Sequence, residues 1–289
     1  MMESACTFEC ENSQLTGILH TPSSVADIGV VVVVGGPQYR VGSHRQFVSF
    51  ARSLAEQGVA VFRFDYRGMG DSDGDIRDFN KISQDIRAAI DHFFILQPQL
   101  KKIILWGLCD AASAAVFYAK NDARVDGLIL LNPWVRTDSG EAKVLVKHYY
   151  LARLKNPDFW KKTLGGKLNL VTSISTLFAN VKKSVKKNTP EQKELNNIDL
   201  FDESIPLPDR LFIGLSDFRS DVLIILSGED FTADEFRELV NSTESWKNLL
   251  SSDCFETHTL TDANHTFSTQ RWRSEVEKKS LDWILLKFA

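Results

Sequence analysis

Three residue types that together support nucleophilic chemistry lie at comparable places in this chain, each just beyond an apolar run. Cys109 follows Lys102-Ile103-Ile104-Leu105-Trp106, within the turn Gly107-Leu108-Cys109-Asp110-Ala111-Ala112. A small-residue helix, Ala112 to Ala119, comes next. Strand, tight turn and helix form the setting in which G-x-S-x-G exposes a nucleophilic side chain. Here that side chain is a thiol, whose thiolate attacks activated acyl groups. The plain alternative is a cysteine buried for packing. Asp230 follows Asp221-Val222-Leu223-Ile224-Ile225-Leu226, and His265 follows a strand from about Phe255 to Leu260. Parallel strands end on one edge of a sheet, where open α/β sheets bind their ligands. Nucleophile, acid and base in that order predict a Cys109–Asp230–His265 triad.

Each member has a physical task. His265 takes the thiol proton and later returns it to the leaving group. Asp230 accepts a hydrogen bond from the far ring nitrogen and stabilises the imidazolium. Bland readings stand beside these. Asp230 would equally cap a helix beginning near Thr232, Glu229 and Asp234 are rival acids, and a lone loop histidine is ordinarily a surface residue. A developing oxyanion also needs donors. The backbone N–H of Asp110 supplies one, and the loop Gly35-Gly36-Pro37-Gln38 supplies the other. Pro37 has no N–H, so the donor is Gly36, with Gln38 the weaker candidate. The helix start favours thiolate, whereas the Asp110 carboxylate opposes it, which leaves the net effect open. Gln38, Tyr39, Arg40, Arg45 and Arg136 are candidates to bind a substrate carboxylate, phosphate or sugar. His44 is a candidate to reach the site from the same first loop.

The elements that must position these groups alternate. A hairpin over residues 3 to 20 precedes Ile28-Gly29-Val30-Val31-Val32-Val33-Val34, a strand apolar on both faces as in a covered parallel sheet. Helices are predicted from about Gln46 to Gln57, Ile82 to Leu96 and Gln270 to Phe288, with strands at Val59 to Phe64 and Gly127 to Leu131. Repeated βα units imply a doubly wound, mostly parallel α/β sheet. Between Pro133 and Pro206 the rhythm breaks into helical spacing with a basic run, Lys182-Lys183-Ser184-Val185-Lys186-Lys187. We read 1–133 and 206–289 as the core and 134–205 as an inserted helical cap, its basic run a solvated face.

Composition narrows the partners. The 289 residues are 43% hydrophobic and 25% charged, enough apolar material for a large core. A formal net charge of −4 argues against nucleic acid. No segment has the roughly 20 apolar residues that cross a bilayer, and Met1-Met2-Glu3-Ser4-Ala5-Cys6 does not read as a signal peptide. Cys6, Cys10, Cys109 and Cys254 lack metal-ligand spacing. The expectation is a cytoplasmic protein with reduced thiols, without metal or cofactor.

Asp65-Tyr66-Arg67-Gly68-Met69-Gly70-Asp71-Ser72-Asp73-Gly74 is the most specific string in the chain. It resembles the D-x-R-G-x-G-x-S-x-G element after the fourth strand of α/β-hydrolases. That resemblance implies a structural role, with Arg67 and Asp65 bracing the loops, so Ser72 is not read as a nucleophile. It extends over the whole chain and implies an α/β-hydrolase fold with a helical cap. Three further segments are similar to the hydrolase 1 group associated with the bacterial exosortase A system: Gly35 to Phe47, Trp106 to Ala111 and Asn132 to Thr137. The cap segment Lys147-His148-Tyr149-Tyr150-Leu151 resembles the same group. The resemblance implies an exopolysaccharide setting without naming a substrate. The cysteine elbow also resembles dienelactone hydrolase, which has glycines where this chain has Ala111 and Ala112, and no comparable cap.

The reading is therefore a cap-bearing acyl hydrolase acting on esters or thioesters. Its substrate is a small-molecule or a lipid- or sugar-linked acyl group, and its oligomeric state is open. The alternatives are acyl transfer to a sugar or lipid-linked acceptor, and a non-catalytic scaffold with Cys109 merely buried.

Overall fold

The computed structural model describes residues 1–36, 38–136 and 199–289. Strands β1 (Met2–Cys10) and β2 (Ser13–Thr21) form an antiparallel hairpin. Its turn residues Glu11 and Asn12 both adopt positive φ, as a two-residue hairpin turn demands. Next come β3 (Ile28–Val33), α1 (Gln46–Glu56), β4 (Ala60–Phe64), α2 (Ser83–Leu96), β5 (Lys102–Leu108), α3 (Asp110–Ala119) and β6 (Val125–Leu131). After residue 198 the described chain continues with α4 (Leu207–Asp217), β7 (Asp221–Ser227), α5 (Phe231–Ser242), α6 (Glu244–Leu250), β8 (Phe255–Leu260) and α7 (Gln270–Phe288).

The strands form one sheet in the order β1-β2-β4-β3-β5-β6-β7-β8. β2 pairs antiparallel with β4, and every pair from β4 to β8 is parallel. All residues of β3 and β4 are buried, which explains their unbroken apolar character. The expected doubly wound, mostly parallel α/β sheet is present. α1 packs on β4 and α7, whereas α2, α3 and α4 pack on one another. Right-handed crossovers explain this split, because the chain winds outward through α1 to β4 and then back through α2 to β5. The reversal lies between β3 and β5, so the loops after those two strands diverge and open a crevice at the sheet edge. On the α1 side, Phe47 and Phe50 pack their rings on Trp106 of β5, at centroid distances of 5.4 and 5.0 Å.

Several boundaries differ from expectation. The elbow helix begins at Asp110, two residues before its small-residue stretch and at the start from which its dipole was argued, so Cys109 is its N-cap. Helix α4 was not among the expected elements; Pro206 is its N-cap and Pro208 lies in its first turn, where proline costs no hydrogen bond. Helix α6 was also missed. The chain groups into two compact units, Met1–Val135 with Leu200–Ala289, and Arg136–Asp199. The expected cap at 134–205, with its basic run and His148, lies almost entirely outside the described residues. No helix among the described residues is long and apolar enough to cross a membrane.

Candidate active site

Cys109 terminates β5 with φ 64° and ψ −123°, a conformation that non-glycine residues adopt at a cost of about 1–3 kcal/mol. Neighbouring bonds over-determine it. The Cys109 N–H donates to the Leu131 carbonyl at 2.8 Å, and the Cys109 carbonyl accepts from Trp134 N–H at 3.2 Å and Ala112 N–H at 3.1 Å. Ser113 Oγ holds the Trp134 carbonyl at 2.7 Å. The first helical turn folds back on the strand so closely that a Cβ at Gly107 would lie 2.6 Å from the Ala111 carbonyl oxygen. Gly107 is thus the residue on which the tight turn depends, while the methyl of Ala111 is accommodated fully buried. Cys109 itself is partly exposed.

Asp230 and His265 meet directly. His265 Nδ1 lies 2.9 Å from Asp230 Oδ2, with the carboxylate side chain 7% exposed and the imidazole 34% exposed. The same Oδ2 accepts the Ala233 N–H at 3.1 Å as the N-cap of α5. Helix cap and histidine partner, set out above as competing readings, are therefore the same atom. The rival Asp234 is engaged by Arg237 at 2.6 Å.

β5 and β8 are three strands apart, about 14 Å at the usual strand spacing, so the loop after β8 must cross back towards the elbow. Asn132, fully buried just after β6, anchors that crossing. Its Nδ2 donates to the His265 carbonyl at 3.1 Å and to Ser227 Oγ at 2.9 Å. Its Oδ1 accepts the Ser227 N–H at 2.8 Å, and Ser227 Oγ donates to the Asn264 carbonyl at 2.9 Å. Leu131 meanwhile holds Cys109, so consecutive residues at the end of β6 bind the elbow and the histidine loop. Asn132 and Ser227 were missed as positioning residues. The only signal was their place at strand ends.

Of the two expected oxyanion donors, Gly36 faces the Asp110 carboxylate, which brings its loop to the elbow. Gly36 N–H donates to Asp110 Oδ2 at 3.0 Å. Asp110 Oδ1 accepts from Ala111 N–H at 2.9 Å. Burial pushes this carboxyl above the usual aspartate range, while these N–H groups and nearby His265 pull it down less strongly. Tyr66, also unanticipated, lies beneath the loop with its hydroxyl 3.5 Å from the Gly36 carbonyl.

Among the remaining candidates, Arg40 and Gln38 are engaged by other groups of the fold. Arg40, expected to bind substrate, instead spends its guanidinium on Asp65 and Asp71. Its N–H also donates to Asp65 at 2.6 Å, so it braces the loop. Gln38 caps its own loop, Oε1 accepting the Ser43 N–H at 3.1 Å. His44 and Arg45 are exposed, both at positive φ, and line a surface groove with Arg52 and Arg273 between α1 and α7. Tyr39 is 47% exposed, and Arg136 is exposed at the end of the described segment. The string from Asp65 to Gly74 is a brace: Arg67 forks onto Asp85 at 2.9 and 2.8 Å and reaches Glu11. Ser72 Oγ donates to the Asp65 carbonyl at 2.7 Å, a structural bond rather than a nucleophile's. Among the described residues no group of three or more His, Cys, Asp or Glu could hold a metal ion.

A parallel sheet with a strained strand-to-helix turn after β5 and an acid and histidine after β7 and β8 defines an α/β-hydrolase. The chain belongs to the family described as serine aminopeptidase, S33, whose model matches residues 28–253. Where that description names a serine, the elbow of this chain carries Cys109. Similar solved structures include the esterase Pf2001 of Pyrococcus furiosus, with 17% identity over 100% of this chain and 94% of that one, at a TM-score of 0.65. The α/β hydrolase GrgF from Penicillium shows 18% identity, 99% coverage of both chains and a TM-score of 0.62. A thermostable carboxyl esterase from Bacillus coagulans shows 16% identity, complete coverage of both chains and a TM-score of 0.63. At these identities the likeness is one of fold. No curated protein matches the chain in sequence.

Proposed function

We propose that this hydrolase cleaves esters or thioesters through a Cys109 nucleophile. The hydrogen bond between His265 Nδ1 and Asp230 carries the reading, because it commits one ring nitrogen to the carboxylate and leaves Nε2 for proton transfer at the elbow. Cys109 Sγ attacks the acyl carbon as its proton passes to Nε2. The carbonyl π pair moves onto oxygen, where backbone N–H groups at Gly36 and Asp110 stabilise it. The pair returns, the bond to the leaving oxygen or sulfur breaks, and the leaving group takes the proton from Nε2. Water then attacks the acyl-thioester, gives its proton to Nε2 and releases the acid, and Cys109 recovers that proton.

Esters are the favoured substrate class because fold neighbours such as the Pyrococcus and Bacillus proteins are esterases by name. The resemblance of the first loop, the elbow and the Asn132 segment to the exosortase-associated group supports a setting in bacterial exopolysaccharide production. The test is turnover of p-nitrophenyl esters and acyl-thioesters by the wild type, Cys109→Ala and Cys109→Ser. Loss of about a thousandfold or more in Cys109→Ala is expected. Equal rates in the wild type and Cys109→Ala would falsify the reading, and full activity in Cys109→Ser would show that sulfur is not required.

A further inference from the structure

Asp110 is the one ionisable side chain at the elbow that the triad does not use. Its carboxylate draws on two separate elements: Gly36 N–H from the loop after β3, at 3.0 Å, and Ala111 N–H from α3, at 2.9 Å. Its own backbone N–H belongs to the same residue. The N–H groups of Gly36 and Asp110 are the donors that a reacting acyl oxygen requires under the hydrolase reading, and the first of them is bonded to the carboxylate. The fit is built into the chain: a Cβ at Gly35 would stand 2.1 Å from Asp110 Oδ1 and 2.8 Å from the Ala111 nitrogen. Only glycine at that position leaves the slot in which the carboxyl lies. Among the described residues other than its chain neighbours, none has an atom within 4 Å of where a Cβ on Gly36 would be.

We propose that the Asp110 carboxylate is the resting occupant of the oxyanion donors, so that a substrate reacts only when its carbonyl oxygen displaces it. The inference rests on the oxyanion assignment made above. It makes Asp110 a specificity-determining residue. A neutral carbonyl oxygen is a weaker acceptor than a carboxylate, so displacement must draw on binding energy from elsewhere in the substrate. Small activated esters have little to contribute and react slowly, while acyl groups with extended contacts displace the side chain. Rotation of the Asp110 side chain opens the donors without breaking a covalent bond. His265 is a cation-forming neighbour, and as imidazolium it attracts the carboxylate.

The test uses sodium formate as a probe carboxylate, with chloride-matched controls, on the full chain. The backbone amide shifts of residues 36, 110 and 111 are followed in the wild type, Asp110→Ala and Asp110→Asn, together with kcat/KM for p-nitrophenyl acetate. In Asp110→Ala, formate is expected to move these amides saturably and to inhibit competitively. The kcat/KM of this variant rises about tenfold, the scale of one charge-assisted hydrogen bond no longer competing. Wild-type amides stay unmoved at the same concentrations. Asp110→Asn keeps the shape and one acceptor oxygen, so it carries the decision if the alanine variant does not fold; formate should bind it more weakly but measurably. The proposal is overturned if formate moves the wild-type amides as much as the variant's, or moves neither. It is also overturned if formate rescues a slowed Asp110→Ala, because the carboxylate would then be a strut that catalysis needs. If the shifts behave as expected while no form turns over any ester, occupancy stands and the hydrolase reading falls.

Discussion

Two polar clusters sit at the same edge of the sheet and use similar groups to opposite ends. In the brace around Arg67 and Arg40, the carboxylates of Asp65 and Asp85 have no exposed surface and each faces a guanidinium. The fork from Arg67 to Asp85 satisfies both oxygens, and the Arg67 N–H adds a further bond at 2.9 Å. Charge is cancelled inside the protein, and little is presented to a solute. At the elbow, Asp230 is nearly as buried, but its partner is an imidazole with a third of its surface open. A buried anion there holds a titratable group at an opening instead of neutralising a fixed cation. A closed ionic cluster supplies stability and, under the proposed function, a half-open one supplies chemistry, although both read from sequence as charged residues at strand ends.

This contrast predicts that the two clusters fail in different ways. The largest effect belongs to His265→Ala: ester turnover should fall by about 10³–10⁴-fold, with the urea midpoint nearly unchanged. A variant that lost both activity and stability would show that the histidine loop is part of the brace. Arg67→Met should do the reverse, costing about 3–5 kcal/mol by leaving Asp85 buried and unpaired. The loss is read from denaturant unfolding, and the rate per folded molecule should hold. Adding Asp85→Leu to Arg67→Met should restore much of the stability, and failure to do so would place the cost in packing instead of charge.

The strand ends that carry Cys109, Asp230 and His265 were legible because β-branched runs mark buried parallel strands and the residues just after them share an edge. The brace string was legible from its resemblance. What the sequence could not display is who pairs with whom across the fold. Arg40 meets Asp65 and Asp71, 25 and 31 residues away, and so reads locally as an unclaimed arginine. The bond from Gly36 to Asp110 spans 74 residues, and that from Asn132 to the His265 loop spans 133. Such contacts exist only once α1 and α2 have wound β4 and β5 to either side of β3. Asp230 was read as either a cap or a catalytic acid because its position supports both, and one oxygen both caps α5 and bonds His265.

Two smaller effects sharpen the comparison. Asn132→Ala removes the amide that spans β6, β7 and the histidine loop, leaving Ser227 N–H without its 2.8 Å acceptor. The expected stability loss is about 1–3 kcal/mol. Turnover should fall further than folding explains, with kcat affected more than KM, because His265 loses its backbone anchor. Equal losses in kcat and in folded fraction would make Asn132 purely structural. The smallest effect comes from a third ionic cluster, in the turn after α3, at the end of that helix away from Cys109. Burial alone would raise Asp122, but hydrogen bonds from Arg124, Tyr118 and the Arg124 N–H hold it down to about 2. Because its folded value is depressed, its contribution, about 1–2 kcal/mol, is complete above the ordinary aspartate range near 4 and disappears as pH falls towards 2. Asp122→Asn should therefore be less stable than the wild type at pH 7, and the two unfolding curves should converge on acidification. Curves that stay parallel down to pH 2 would mean that the cluster stabilises by shape alone. Turnover at pH 7 should be the same in both, because this cluster lies at the end of α3 away from Cys109.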